Sequence, residues 1–285
     1  MSIVVTGATG HLGRLVVESL LERGVPAGQI VAAGRSIDKL NDLADRGVQV
    51  KHIDFTQPET LAEAFAGADK VLLVSSSEVG QRAAQHRNAI AAAREAGVSL
   101  LAYTSIAKAD TTQMLLAAEH RETEEAIRES GVPFTFLRNG WYLENYTEQL
   151  PTTLEHGAIL GSAGNGRVSA ATRADYAAAA AAVLTGEGHA GQVYELGGDE
   201  AFTLPELAAE ITRQSGTEVA YRDLPVDEYT QVLVSVGLPE QAATVFADSD
   251  KGVDRGELFV DSGDLSRLSG RPTTTLAEAL ATALR

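Results

Sequence analysis

The sequence predicts an α/β protein built on a doubly wound parallel sheet, with helices on both faces and a smaller C-terminal α/β lobe. Three observations carry that expectation. Short runs rich in Val, Ile and Leu alternate with helical spacing from residue 3 to about residue 140, which is the pattern of successive βαβ units. Some of these runs are apolar at every position, as in Val71-Leu72-Leu73-Val74, which suits parallel strands covered on both faces. The first run, Ser2-Ile3-Val4-Val5, passes straight into Thr6-Gly7-Ala8-Thr9-Gly10-His11-Leu12-Gly13 and then into the helical spacing of Leu12, Leu15, Val16 and Leu20.

A strand, a glycine-rich turn and a helix N-terminus make an anion site. The first glycine permits the tight turn, the second lets a pyrophosphate approach the backbone, and the third lets helix and strand pack closely. The spacing here is G-x-x-G-x-x-G, with glycines at 7, 10 and 13. A dinucleotide site is the expected reading of this turn.

Composition narrows the partners. The chain has 285 residues, 44% of them hydrophobic, enough for one large domain or a main domain with an appended lobe. Its formal net charge of −16 argues against nucleic acid or an anionic membrane surface, both of which want a basic face. An anionic cofactor must then be held by local features, namely helix N-termini and a few arginines. Cys is absent, which excludes disulfides, thiolate catalysis and cysteine metal sites, and no metal is expected. Met1 leads directly into the first strand, without a signal peptide or membrane span, so a cytoplasmic protein is expected.

Glu22-Arg23-Gly24 closes the first helix and residues 29–35 read as the second strand. The residue just past that strand sits beside the adenosine ribose, where an acid favours NAD and an arginine can pair with the 2′-phosphate of NADP. This chain has Arg35 there. Residues 48–53 read as a third strand ending in Asp54, for which an adenine contact and a turn are both open. Thr56-Gln57-Pro58-Glu59 reads as a capping box. The fourth strand, residues 70–74, ends in Ser75-Ser76-Ser77, which would face a ligand at the carboxyl edge of the sheet unless they only form a turn. Arg82 and His86 share a helix face and would line a site or lie on the surface.

The fifth strand, residues 100–105, ends in Thr104 and Ser105, again on the ligand edge. The helix after it carries His120 and Glu124 four residues apart, which suits either a substitute acid at His120 or a surface ion pair. No Tyr-x-x-x-Lys occurs there, since Tyr103 is followed four residues later by Ala107, and this counts against alcohol dehydrogenase chemistry. The sixth strand, Phe134-Thr135-Phe136-Leu137, runs into Arg138-Asn139-Gly140-Trp141-Tyr142-Leu143-Glu144-Asn145-Tyr146. Asn139 and Gly140 would let a nicotinamide rest on backbone, and Trp141, Tyr142 and Tyr146 would wall an aromatic substrate, core packing being the other reading.

Beyond residue 150 the pattern changes. Residues 157–166 look loop-rich, an alanine-rich helix starts after Thr172, and residues 192–196 read as a strand. Thr203 to Glu206 and Thr275 to Glu278 read as helix caps, with a short strand at 219–221 and a helix at 229–236 between them. The expected division is a nucleotide-binding part at 1–150 and a smaller substrate-side lobe at 151–285, with a return to the main sheet around 168–200.

The glycine turn, residues 75–82, residues 137–146 and Ala171-Thr172-Arg173-Ala174-Asp175-Tyr176 together resemble the NmrA-like branch of the atypical short-chain dehydrogenases, most nearly its bacterial NADPH-dependent quinone oxidoreductases. The resemblance covers nearly the whole chain and implies a Rossmann-like fold. It implies NADPH lying on Thr6 to Gly13, Arg35, Ser75 to Ser77 and Asn139 to Glu144, with Arg173 closing over it. It also implies hydride transfer to a quinone, with Asn139 and Tyr142 shaping the site and His120 a candidate proton source. The alternative is an NADP(H)-binding redox sensor with little catalysis, since the branch includes such members. A homo-oligomer is compatible with either.

Overall fold

The computed structural model describes residues 1–78 and 80–285; Val79, part of the 75–82 stretch, lies outside the described residues. In chain order the elements are β1 (Ile3–Val5), α1 (His11–Glu22), β2 (Ile30–Gly34), α2 (Asn41–Asp45), β3 (Gln49–His52), α3 (Pro58–Phe65), β4 (Lys70–Leu73), α4 (Arg82–Glu95), β5 (Leu100–Ile106), α5 (Ala117–Ser130) and β6 (Phe134–Asn139). They continue with α6 (Glu144–Thr147), α7 (Leu150–His156), β7 (Ala158–Gly161), α8 (Arg173–Thr185), β8 (Gln192–Leu196), α9 (Leu204–Ser215), β9 (Ala220–Asp223), α10 (Val226–Ser235), α11 (Glu240–Asp254), α12 (Asp264–Ser269) and α13 (Leu276–Ala283).

Seven strands pair in the order β3-β2-β1-β4-β5-β6-β8, and every pairing is parallel. The chain winds one way from β1 to β3 and the other way from β4 onward. The switch point therefore lies between β1 and β4, and the crevice for a ligand opens at their carboxyl ends.

Alternate residues of each strand feed opposite cores. Ile3 and Val5 join Val16, Leu20 and Tyr176 beneath α1 and α8, whereas Val4 joins Phe65, Ile90 and Ile127 beneath α3, α4 and α5. The alanines of α8 allow it to lie close against α1, with Ala177, Ala180 and Ala181 all buried. Residues 173–196 thus pack with the N-terminal half. A third core, including Met114, Leu150, Leu207, Ile211 and Leu280, lies under the C-terminal elements, where β7 and β9 form a separate parallel pair.

The structure corrects several local readings. Thr56 does not open a capping box: Gln57 precedes α3 without a side-chain cap, and the Thr56 N–H and hydroxyl both donate to Asp54 Oδ1. The Asx turn offers the backbone a competing partner at that point. The stretch 157–166, read as loop, contains β7, whose four residues are too few to show a period. Helix α11, absent from the sequence reading, buries mostly small residues, Ala243, Ala247, Ser249 and Gly252, so few large apolar side chains mark its inner face. The two later capping boxes, Thr203 with Glu206 and Thr275 with Glu278, are formed as expected.

Candidate nucleotide and substrate site

The turn after β1 is shaped by two glycines that tolerate no substitution. Gly7 has φ +62°, and a Cβ on Gly13 would stand 2.4 Å from the Gly7 carbonyl oxygen. Gly10 differs. A Cβ there would meet nothing nearer than 3.4 Å, so the fold itself does not demand glycine. It stands as the N-cap of α1, makes no side-chain cap bond, and is followed by no acid in the first turn. The leading N–H groups of a twelve-residue helix are left facing the crevice, where an anion would complete them.

The crevice is a cleft of about 360 Å³. Gly7, Thr9, Gly10, His11, Leu12 and Gly13 line one side; Ser75, Ser76, Ser77 and Glu78 line the other; Gly34, Arg35, Asp54 and Phe55 are among the rest of the lining. Thr6 and Ala8 do not. Thr6 stitches β1 to β4 by donating to Leu72 O and accepting from the Val74 N–H, and Ala8 is a core residue whose N–H donates to Ala33 O. Arg35 stands at the mouth, exposed, with its Nη1 2.6 Å from Glu78 Oε1. Asp54 lines the cleft while its Oδ1 serves the turn.

The serine loop is hung on α4. Arg82 Nε donates to Ser76 O at 2.7 Å, the Ser76 N–H donates to His86 Nε2 at 3.0 Å, and the Ser76 hydroxyl donates to Gln85 Oε1 at 2.6 Å. The backbone of Ser75 donates to Thr104 Oγ1. His86 must be neutral for this, with its proton on Nδ1, which bonds Thr123 Oγ1 at 3.0 Å, while the Thr123 hydroxyl passes its own hydrogen to Glu119 O. Burial, with a smaller contribution from Arg82, brings the His86 pKa down to about 3. Arg82 and His86 are therefore buried supports of the loop, not surface residues.

The second expected cluster is built differently. Gly140 is enclosed: its N–H donates to Leu196 O, and a Cβ would stand 3.0 Å from that same oxygen, so this amide is not available to a nicotinamide. Asn139 is buried, and its Nδ2 reaches the Tyr142 hydroxyl at 3.4 Å. Tyr142 packs edge-on against Tyr176, with the Arg173 guanidinium 5.2 Å from the ring centre. Leu143 is core, its N–H on Ala171 O. Glu144 accepts the Arg173 N–H through both oxygens, and Arg173 Nη1 pairs with Glu148. Trp141 and Tyr146 pack, half-buried, on the third core. Residues 139–144 and Arg173 thus meet one another, but none lines the cleft over the glycine turn.

His120 makes no ion pair with Glu124. Glu124 is committed to Arg138 by two bonds of 2.8 and 2.9 Å, and Arg138 also reaches Glu195 at 2.9 Å. His120 is buried with Nδ1 2.7 Å from the Tyr103 hydroxyl, and burial holds it well below the ordinary histidine range. Among residues that the sequence did not single out, Gln85 and Phe55 also line the cleft. A more open hollow of about 400 Å³ on the C-terminal elements is lined by Glu200, Glu206, Glu210 and Arg167, the last already paired with Glu206, and suits no phosphate.

A seven-stranded doubly wound sheet with an uncapped helix N-terminus at its switch point defines a dinucleotide-binding α/β protein. The chain belongs to the NmrA-like family, whose sequence profile matches residues 1–269. It is 54% identical to Quinone oxidoreductase 2 of Escherichia coli K12 over 278 residues, 98% of this chain and 97% of that protein. It is also similar to the crystal structure of E. coli NADPH-dependent quinone oxidoreductase QOR2 complexed with NADPH, with a TM-score of 0.96 and 53% identity over 99% of this chain and 100% of the other. The triphenylmethane reductase of Citrobacter sp. complexed with NADP(H) follows at a TM-score of 0.94 and 42% identity, covering 99% of this chain and 100% of that one.

Proposed function

We propose that this protein is an NADPH-dependent quinone oxidoreductase. The observation that carries the cofactor is the uncapped N-terminus of α1 above Gly10, with Arg35 at the mouth of the same cleft. NADPH, when bound, supplies the hydride. The N–H groups of His11, Leu12 and Gly13 hold the pyrophosphate, Thr9 flanks it, and Arg35 meets the 2′-phosphate. Ser75, Ser76 and Ser77 form the facing wall, kept in place by Arg82, Gln85 and His86.

Asn139, Trp141, Tyr142 and Tyr146 shape the substrate end. Burial raises the Tyr142 pKa, so its phenol stays protonated and offers a hydrogen-bond donor, not a base. A quinone accepts hydride readily, and its oxyanion is stable enough to take a proton from water. The missing Tyr-x-x-x-Lys is then no handicap, because catalysis rests mainly on positioning. His120 is neutral, bonded to Tyr103 and away from the cleft lining, and serves the α5–β5 packing.

The test is NADPH oxidation by the purified protein with and without a simple benzoquinone, with NADH in parallel and the uncatalysed rate subtracted. Quinone-dependent turnover that prefers NADPH is expected, and Arg35→Glu should weaken NADPH far more than NADH. Tight NADPH binding with no turnover on any quinone would replace the enzyme by a sensor.

A further inference from the structure

We propose that Glu78 is a built-in competitor for the 2′-phosphate, and so sets how strongly the protein prefers NADPH over NADH. This rests on the cofactor reading above. Glu78 lines the nucleotide cleft and closes onto Arg35 across its mouth, Oε1 to Nη1 at 2.6 Å. The pair joins the loop after β4 to the end of β2, which is to say the two sides of the switch point.

Glu78 is poised to let go. Its second oxygen, Oε2, accepts from Gln85 Nε2 at 2.7 Å, and its N–H donates to Ser76 Oγ at 3.2 Å. When an anion takes Arg35, the carboxylate keeps Gln85 as a partner and is not left unpaired. Arg35 is 65% exposed and Glu78 37% exposed on their side chains, so the ion pair is weak enough to exchange. Carboxylate and phosphate seek the same guanidinium, and a phosphate dianion held there is repelled by the carboxylate beside it. Every molecule with the pair closed is unready for the 2′-phosphate, which lowers the apparent affinity for NADPH by the closed fraction. NADH carries no group that needs Arg35, so the same pair hardly affects it.

The measurement is the direct titration of NADPH and NADH, by cofactor fluorescence, into wild type, Glu78→Gln, Arg35→Ala and the double variant. Glu78→Gln keeps the shape and removes the charge. It should tighten NADPH about three- to fivefold, the scale of an exposed ion pair, and change NADH by less than about twofold. The gain should vanish when Arg35 is already Ala, the coupling that a double-mutant cycle isolates. NADPH binding that weakens or stays constant in Glu78→Gln would overturn the proposal, as would equal tightening of both cofactors. Wild type that binds neither cofactor would remove the cofactor reading itself, and this inference with it.

Discussion

Two helices of about equal length begin near the carboxyl edge of the sheet, and their first turns are opposites. Helix α8 is closed: Thr172 accepts the Asp175 N–H, Asp175 accepts from the Thr172 N–H and hydroxyl, and Glu144 takes the Arg173 N–H. Helix α1 has no cap, no acid in its first turn, and a glycine where the cap would stand. Folding stability favours the first arrangement. An uncapped terminus beside a cleft is tolerated where a ligand completes it, so the comparison fits the phosphate position proposed above at α1 and sets α8 beside residues 139–146.

Acidification acts through two buried histidines, His86 behind the serine loop and His120 against Tyr103. His86 and His120 are neutral in the fold, His86 with a pKa of about 3 and His120 well below normal, against an ordinary value of about 6.5. As pH falls through that value the unfolded chain binds protons that the native chain refuses, so stability falls with pH. Between pH 7 and 5 His86 should cost roughly 2 kcal/mol, and His120 adds to the loss in the same sense. Asp250, which burial brings up to about 6, works in the opposite sense, since the fold prefers it protonated. Its offset is roughly 1 kcal/mol over the same span. Urea denaturation at pH 7 and 5 should show the net loss, and His86→Gln should remove the roughly 2 kcal/mol that His86 contributes. A pH-independent midpoint would mean that the Ser76 loop does not depend on a neutral His86.

How much of this was readable beforehand follows the same division. Gly7, Gly10 and Gly13, the strand before them and Arg35 after β2 are local signals, and backbone geometry alone ties them to an anion. The capping boxes at Thr203 and Thr275 are equally local. Helix spacing puts His120 beside Glu124, but not Arg138, which arrives from β6 and takes the glutamate. Likewise nothing near Arg82 or His86 in sequence reveals that both reach back to Ser76. Such side chains acquire their roles from how a loop folds back on the next helix or a helix packs on the next strand, and helical spacing alone does not display that. Within residues 139–146 the sequence marks Asn and Gly among aromatics as a ligand edge, but it does not show that the Gly140 N–H is spent on Leu196 O, on a strand about fifty residues further on.

Closing the open terminus is the next test. Gly10→Asp places a carboxylate where α1 lacks one, at an extended residue whose φ of −98° suits any side chain. The variant should be as stable as wild type or more so, by up to about 1 kcal/mol. Its NADPH affinity should fall by about a hundredfold, because the new group occupies the phosphate position and repels it. Thermal unfolding and cofactor titration read the two effects separately. Loss of affinity together with loss of stability would mean that the residue is needed by the fold after all.

Opening the closed terminus should do the reverse, and on a smaller scale. Glu144→Ala removes the acceptor of the Arg173 N–H but leaves the Thr172–Asp175 box in place, so one cap contact of three is lost. The expected cost is about 1 kcal/mol, seen as a midpoint lower by about 2 °C in a chain of this size. NADPH affinity should stay within about twofold, because in the proposed binding mode the phosphates lie on α1 and Glu144 caps α8. The resemblance, in contrast, implies that residues 139–144 and Arg173 lie against the cofactor. A tenfold or greater loss of NADPH affinity at unchanged stability would put Glu144 in direct contact with the cofactor, and the two helix ends would then be two halves of one site.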